Sequence, residues 1–163
     1  MKVFLIFIFF ISGLMTLYAQ NIIYPKIDSA QQKRIDKSIQ NGIPLFFLSA
    51  EIWYDAAGTP ELQIITKNIS EKDVDAYTIQ VYCYNNFNEP VNHYLKGTNV
   101  FTGISQDKLE AGKTVYLNDE WKLYGYDNTT KVKVYLKKVH FVDGKAWIPK
   151  DKKNTLIEGK SVY

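Results

Sequence analysis

The sequence predicts an all-β protein, an antiparallel β-sandwich of about seven strands preceded by one short helix. Turn-forming residues recur at roughly eight- to twelve-residue spacing, as in sandwiches of short strands. Only residues 29–40 space their apolar side chains as a helix does. The clearest strand is residues 76–83, where every second side chain falls on one apolar face, made of Tyr77, Ile79, Val81 and Cys83.

The N-terminal segment, residues 1–19, is predicted to be a signal peptide. Lys2 supplies the positive start, residues 3–17 are almost wholly apolar, and Ala19 is the small residue that a cleavage site requires. The apolar run is shorter than the roughly 20 residues that span a bilayer, although an uncleaved anchor stays open as the alternative. We therefore expect an exported mature chain without a membrane span.

Residues 20–42 form a predicted leader that contains the helix 29–40. Asp28 or Ser29 can cap its first amide groups, and Asn41 followed by Gly42 ends it. The apolar stripe is narrow, because Ile35 and Ile39 are its main members. The helix is thus expected at the edge of the sandwich or mobile.

The sandwich itself is predicted over residues 43–149. A change of phase at Lys137 and Lys138 indicates a β-bulge, residues 118–130 read as an aromatic loop, and the lysine-rich tail 150–163 is expected to be loose. The predicted strands are 43–54, 61–67, 76–83, 91–96, 99–104, 113–117, 131–141 and 146–148.

Charge and cysteine content exclude several classes of protein. The net charge is only +3, which gives no reason to expect a nucleic-acid partner. The single cysteine, Cys83, excludes an intrachain disulfide and is expected in the core as a small hydrophobe. No cofactor is expected.

Residues that could carry catalysis or bind a metal are few. His93 and His140 have no second ligand at short spacing, so both are predicted to be ordinary surface histidines rather than metal ligands. Acidic pairs can act on a glycosidic bond or hold calcium, but acidic residues are also common in turns. We assign no catalytic residue and no metal site, and predict that the protein is not an enzyme. The acidic pairs are Asp73 with Asp75 and Asp119 with Glu120.

The aromatic loop is the best candidate binding surface. Its flat rings stand beside polar groups, a combination that stacks on sugars or anchors protein partners. In the alternative, Trp121 and one tyrosine fill the end of the core. The candidate binding residues are Trp121, Tyr124, Tyr126, Asp127 and Asn128.

Several short motifs occur in an order that resembles a known group of domains, the small exported bacterial immunoglobulin-like domains of unknown function, FxLYD-type and related. The resemblance covers residues 43–149. It implies an immunoglobulin-like sandwich, a bacterial source and no catalytic residues. The motifs are Lys67-Asn68-Ile69-Ser70 with Lys72 and Val74, Tyr84-Asn85, Glu89-Pro90-Val91, Trp121, Tyr126-Asp127-Asn128, and Phe141 to Gly144.

These observations lead to one expected function and two alternatives. We expect a periplasmic or extracellular, non-enzymatic binding module that contacts a protein or another component of the cell envelope. A carbohydrate-binding module that uses the loop 121–128 is the first alternative. A small hydrolase that uses the acidic pairs is the second.

Overall fold

The computed structural model of the chain describes residues 26–115 and 120–162. Over these ranges the protein is mostly β, and the predicted signal peptide lies outside them. No described helix is long and apolar enough to cross a membrane. The elements are α1 (Ser29–Gln40), β1 (Leu45–Tyr54), β2 (Pro60–Asn68), β3 (Val74–Tyr84), β4 (Val100–Ser105), β5 (Thr114–Val115), β6 (Glu120–Lys122), β7 (Lys131–Phe141), β8 (Ala146–Trp147), a 3-10 helix (Lys152–Thr155) and β9 (Ile157–Ser161).

The nine described strands form one sheet that curls into a nearly closed barrel. Its order is β4-β3-β7-β9-β1-β2-β5, while β6 pairs with β2 and β8 pairs with β7. Strands β1 and β9 run parallel, and the other pairs of described strands are antiparallel. The prediction of a mostly β protein with one short helix is confirmed, whereas the prediction of a purely antiparallel sheet is wrong because the sheet is mixed.

The core lies inside the curled sheet and follows from the alternation of each strand. In β3 the side chains of Tyr77, Ile79, Val81 and Cys83 are buried, as predicted. One polar contact crosses the interior, where the hydroxyl groups of Thr66 and Tyr77 are 3.2 Å apart. It satisfies two polar groups that would otherwise be costly to bury.

Helix α1 covers the outer face of β1. Asp28 caps it in a capping box with Gln31. Ile35 packs against Phe46 and Leu48 of β1, so the start of this strand is buried on both faces. That double burial explains the unbroken apolar run at residues 45–48. The pairing of β1 with β2 shifts between Phe47 and Ser49, which leaves Leu48 as the extra residue and returns Ala50 to the core.

Strand β7 contains the predicted bulge. Thr78 pairs with Lys138, whereas the next residue, Ile79, pairs with Leu136. Lys137 is therefore the extra residue. Both Lys137 and Lys138 are exposed, and Val139 returns to the core.

Two predicted assignments in the middle of the chain are wrong. Residues 91–96 are not a strand but lead into a turn, in which Gly97 has φ +64° and donates to the carbonyl of His93. The predicted loop 118–130 contains a strand, β6, whose Trp121 pairs with Leu62. Local alternation could not decide either segment, because each depends on a partner that is distant in sequence.

The C-terminal segment differs from the loose tail that we predicted. Strand β9 lies between β7 and β1, in the middle of the sheet. Its buried positions are Ile157 and Gly159, and its exposed ones are Glu158 and Lys160. Buried and exposed residues therefore alternate as in other strands. The alternation is hard to see in the sequence, because one buried position is a glycine and the neighbouring lysines suggest a solvated tail.

Candidate functional site

The five predicted binding residues do not share one surface. Trp121 and Tyr126 are buried in the core. Tyr124 is 64% exposed, and Asp127 and Asn128 are exposed as well. The alternative in which Trp121 and one tyrosine fill the end of the core describes these two rings. Of the five predicted residues, only Tyr124 presents an aromatic face to solvent.

Trp121 fills the gap between two edges of the curled sheet. Its ring meets Tyr77 edge-on, with centroids 6.4 Å apart. On the opposite side it lies against Gly103 of β4, where an added Cβ would be 2.8 Å from the indole Nε1 atom. This close approach brings β6 and β4 together, and its role is structural.

Tyr126 anchors the aromatic loop from below. Its hydroxyl donates a 2.6 Å hydrogen bond to the carbonyl of Val100, and its ring meets Phe101 and His93 edge-on. Burial raises the pKa of this phenol, so the hydroxyl stays protonated as a donor. The loop is further held by Thr129, whose hydroxyl donates to the carbonyl of Tyr126 at 2.6 Å.

A second loop, which we did not predict to be part of the site, lies against the first. The backbone N–H of Tyr94 donates to the carbonyl of Gly125 at 3.2 Å. Tyr94 is 73% exposed and Leu95 78% exposed. Together with Tyr124 they are three large exposed side chains on two joined loops, which we call the aromatic end: Tyr94, Leu95 and Tyr124.

His93 holds the second loop in place. Its Nδ1 atom accepts from the backbone N–H of Leu95 at 3.1 Å and of Lys96 at 3.3 Å. Its ring stacks on Tyr94 with centroids 5.1 Å apart. His93 is buried, so the prediction of a surface histidine is wrong for this residue. The turn packs its imidazole ring against the ring of Tyr126.

Gly125 permits the close contact between the two loops. Its φ is +80°, and an added Cβ would lie 2.8 Å from His93 Nε2 and 2.9 Å from Tyr94 Cε1. Any larger residue would separate the loops. Backbone and ring contacts therefore fix the two loops against each other.

Polar residues adjoin the aromatic end in the sequence. Lys96 follows Leu95, Asp127 and Asn128 follow Tyr126, and all three are exposed. At the base of the aromatic loop, Lys122 Nζ lies 3.0 Å from Glu61 and 3.2 Å from Asp55. These two carboxylates raise the pKa of Lys122, so the lysine stays charged and clamps the loop to the β1–β2 turn.

The acidic residues that we considered for catalysis have structural partners. Asp73 accepts from the backbone N–H of Ala111 and pairs with Lys108 at 3.0 Å; these contacts lower its pKa. Asp75 lies 2.7 Å from Nδ1 of His140. Asp119 lies outside the described residues. Within the described ranges no three His, Cys, Asp or Glu side chains are grouped so that they could hold a metal ion.

The sequence contains an ambiguous sign that Tyr94 and Leu95 are exposed. The sequence His93-Tyr94-Leu95-Lys96-Gly97 resembles a short strand that ends at a glycine. Two adjacent large apolar residues cannot both face a core from one strand, and this local conflict is the clue that one or both are exposed.

Comparison with known proteins identifies the family of the chain but no activity. No curated protein matches it. Its structure is similar to the X-ray structure of a hypothetical protein from Peptoclostridium difficile 630, with 18% sequence identity, a TM-score of 0.49, and coverage of 69% of this chain and 89% of that one. A family model matches residues 61–156, more than half of the chain. The chain therefore belongs to the family of unknown function DUF5780.

Proposed function

We propose that the protein is an exported, non-enzymatic, immunoglobulin-like module that binds a protein of the bacterial envelope through the aromatic end. The observation that carries this proposal is the exposure of Tyr94, Leu95 and Tyr124 on two loops joined to each other. The predicted signal peptide and the resemblance to exported bacterial domains support the periplasmic or extracellular location.

The composition of the aromatic end favours a protein partner. Binding energy at protein interfaces concentrates in tyrosine, tryptophan and arginine side chains at the centre, with a polar rim around them. Here Tyr94 and Tyr124 supply the rings, and Lys96 and Asp127 stand in the exposed surroundings. Since contacts between the two loops already fix their backbone, binding costs little conformational entropy for ordering the loops.

The test is a cross-linked pull-down of the tagged mature protein from the envelope fraction and the medium, read by mass spectrometry. We expect a recurrent envelope protein that the wild type captures and that a Tyr94→Ala, Leu95→Ala, Tyr124→Ala variant loses. The control is Phe87→Ala, because Phe87 is 81% exposed on another turn. Equal capture by both variants would remove the aromatic end as the binding surface.

A carbohydrate-binding module remains the alternative, supported by one observation. The exposed ring of Tyr124 has the exposed Asp127 and Asn128 close by in the same loop, and this combination suits a sugar ring with hydroxyl groups. Leu95 counts against it, since an aliphatic side chain gives sugar hydroxyls no partner. Glycan-array binding that Tyr124→Ala abolishes and Leu95→Ala spares would favour the carbohydrate hypothesis.

A further inference from the structure

The outer face of the sheet carries an open groove of about 850 Å³. It lies across four neighbouring strands, β3, β7, β9 and β1, and no residue of the aromatic end lines it. Its volume falls in the roughly 300–1,000 Å³ range of small-ligand sites. The side chains that matter are Glu51, Tyr84, Asn88, Lys131, Lys133 and Lys160.

A row of paired residues crosses the groove. Tyr84 pairs with Lys131, and Lys131 pairs with Lys160. Lys160 in turn pairs with Glu51. The row therefore places two lysines directly opposite each other on antiparallel strands, which is unfavourable because like charges repel.

Neither of these two lysines forms an ion pair with a residue in the described part of the chain. Lys131 Nζ donates to the carbonyl of Asn86 at 3.0 Å and to Asn88 Oδ1 at 2.8 Å, and both acceptors are uncharged. An ammonium group has three N–H donors, so one is left over. Among the described residues the ion pair on this face joins Lys133 to Glu158 at 3.5 Å, and neither Lys131 nor Lys160 takes part in one.

The floor of the groove is rigid. At Gly159 an added Cβ would lie 2.7 Å from the carbonyl oxygen of Ala50, so β9 packs tightly on β1. Because Lys131, Lys160 and Glu51 are paired residues of neighbouring strands, the spacing of their Cα atoms is fixed before any ligand binds.

We propose that this groove binds a small acidic sugar. Its carboxylate or phosphate group lies between Lys131 and Lys160, and its hydroxyl groups donate to Glu51. The anion relieves the repulsion of the two lysines through charge-assisted hydrogen bonds. Glu51 stands at the far end of the row without an ion pair in the described structure, which suits a neutral donor such as a sugar hydroxyl.

The test is titration of the 15N-labelled mature protein at constant ionic strength, followed by two-dimensional NMR. The probes are glucuronate, glucose 6-phosphate, glucose and inorganic phosphate. We expect the two acidic sugars to give saturable shifts at residues 131–133 and 158–160, and glucose to give none. Glucuronate and glucose 6-phosphate distinguish a carboxylate from a phosphate as the preferred acid.

Three variants complete the experiment. Lys160→Gln is expected to weaken binding of the acidic sugar about tenfold, the size of one lost charge-assisted contact. The matched control Lys138→Gln removes an exposed lysine of the same sheet outside the groove and is expected to change binding less than twofold. Glu51→Gln is expected to weaken the sugars and not inorganic phosphate.

The proposal is overturned by any of three results. The first is the absence of saturable shifts with both acidic sugars. The second is equal weakening by Lys160→Gln and Lys138→Gln, which would indicate attraction to net charge alone. The third is binding of inorganic phosphate as tight as that of the sugars, with no effect of Glu51→Gln.

Discussion

The Tyr126 hydroxyl lies 2.6 Å from the carbonyl oxygen of Val100 and donates to it. This single bond joins the aromatic loop to the first residue of β4, and the ring that carries it is 2% exposed. The contact helps to position Tyr124 of the aromatic end, since Tyr124 and Gly125 directly precede Tyr126.

Tyr126→Phe tests the contact. The substitution leaves the ring in place and removes a donor to the part-buried carbonyl of Val100, so we expect a loss of about 1 kcal/mol in the free energy of unfolding. The exposed Tyr124→Phe is the control, expected within about 0.5 kcal/mol of the wild type. Urea unfolding measures both, and equal midpoints for the two variants would refute the anchoring role.

A pair of glycine substitutions separates backbone strain from crowding. Gly125 and Gly144 have nearly the same positive φ, +80° and +82°, but an added Cβ meets His93 at Gly125 and nothing within 4 Å at Gly144. Gly144→Ala is expected to lower the free energy of unfolding by about 1 kcal/mol, because only its positive φ is unfavourable for alanine. Gly125→Ala is expected to lower the free energy of unfolding by about 1–3 kcal/mol more, because the new methyl group crowds His93. Similar denaturation curves for the two variants would show that the loops do not meet tightly.

Cys83 is predicted to be unreactive in the native protein. Burial raises the pKa of its thiol to about 12, and only the thiolate attacks disulfide reagents. At pH 8 we expect no reaction with Ellman's reagent until the protein is unfolded in guanidinium, when one equivalent reacts. Rapid reaction of the folded protein would contradict the burial.

The same pKa makes part of the stability depend on pH. The folded-state pKa lies above the ordinary value of 9.0, so the unfolded state loses its proton first. The contribution of Cys83 is complete below about pH 9 and is lost as the pH rises toward 12. The difference in unfolding free energy between the wild type and Cys83→Ala should therefore shrink over this window; a constant difference would argue against a buried thiol.

Gly159→Ala tests the close packing of β9 on β1. The new methyl group would meet the backbone carbonyl of Ala50 at 2.7 Å, and a backbone atom cannot turn aside as a side chain can. We expect a loss of about 1–3 kcal/mol in the free energy of unfolding. Lys160→Ala, an exposed change in the same strand, is the control and should be within about 0.5 kcal/mol of the wild type. Thermal unfolding followed by circular dichroism distinguishes them.

Most of the secondary structure could be predicted because local patterns decide it. The helix 29–40 has a cap, a stripe and a stop within one short segment. The strand 131–141 shows its own bulge, since the apolar phase changes at Lys137. The entry to β3 is fixed by the buried Asn68, whose side chain accepts from Ser70 and donates to the carbonyl groups of Lys72 and Leu109.

The arrangement of the elements was harder to predict. Strand β9 could not be predicted from its own residues. The reason for Gly159 becomes clear only in the fold, where its missing side chain lets the backbone of Ala50 come close. The aromatic end combines two loops whose sequence positions are unrelated, and the contact of Tyr94 with Gly125 is a property of the folded chain. Aromatic residues alone cannot reveal which rings enter the core, so Trp121 and Tyr124 look equivalent in the sequence although one is buried and the other exposed.

The central position of β9 affects how the protein is made. Glu51 pairs with Lys160, so the second neighbour of β1 exists only after residues 157–161 have been synthesised. Contacts of such long sequence separation form slowly. Until then the edges of β1 and β7 are open to pairing with other chains. A chain that stops at Leu156 should scatter light as it aggregates on refolding, while the full chain stays clear; equal clarity would show that the two edges are protected without β9.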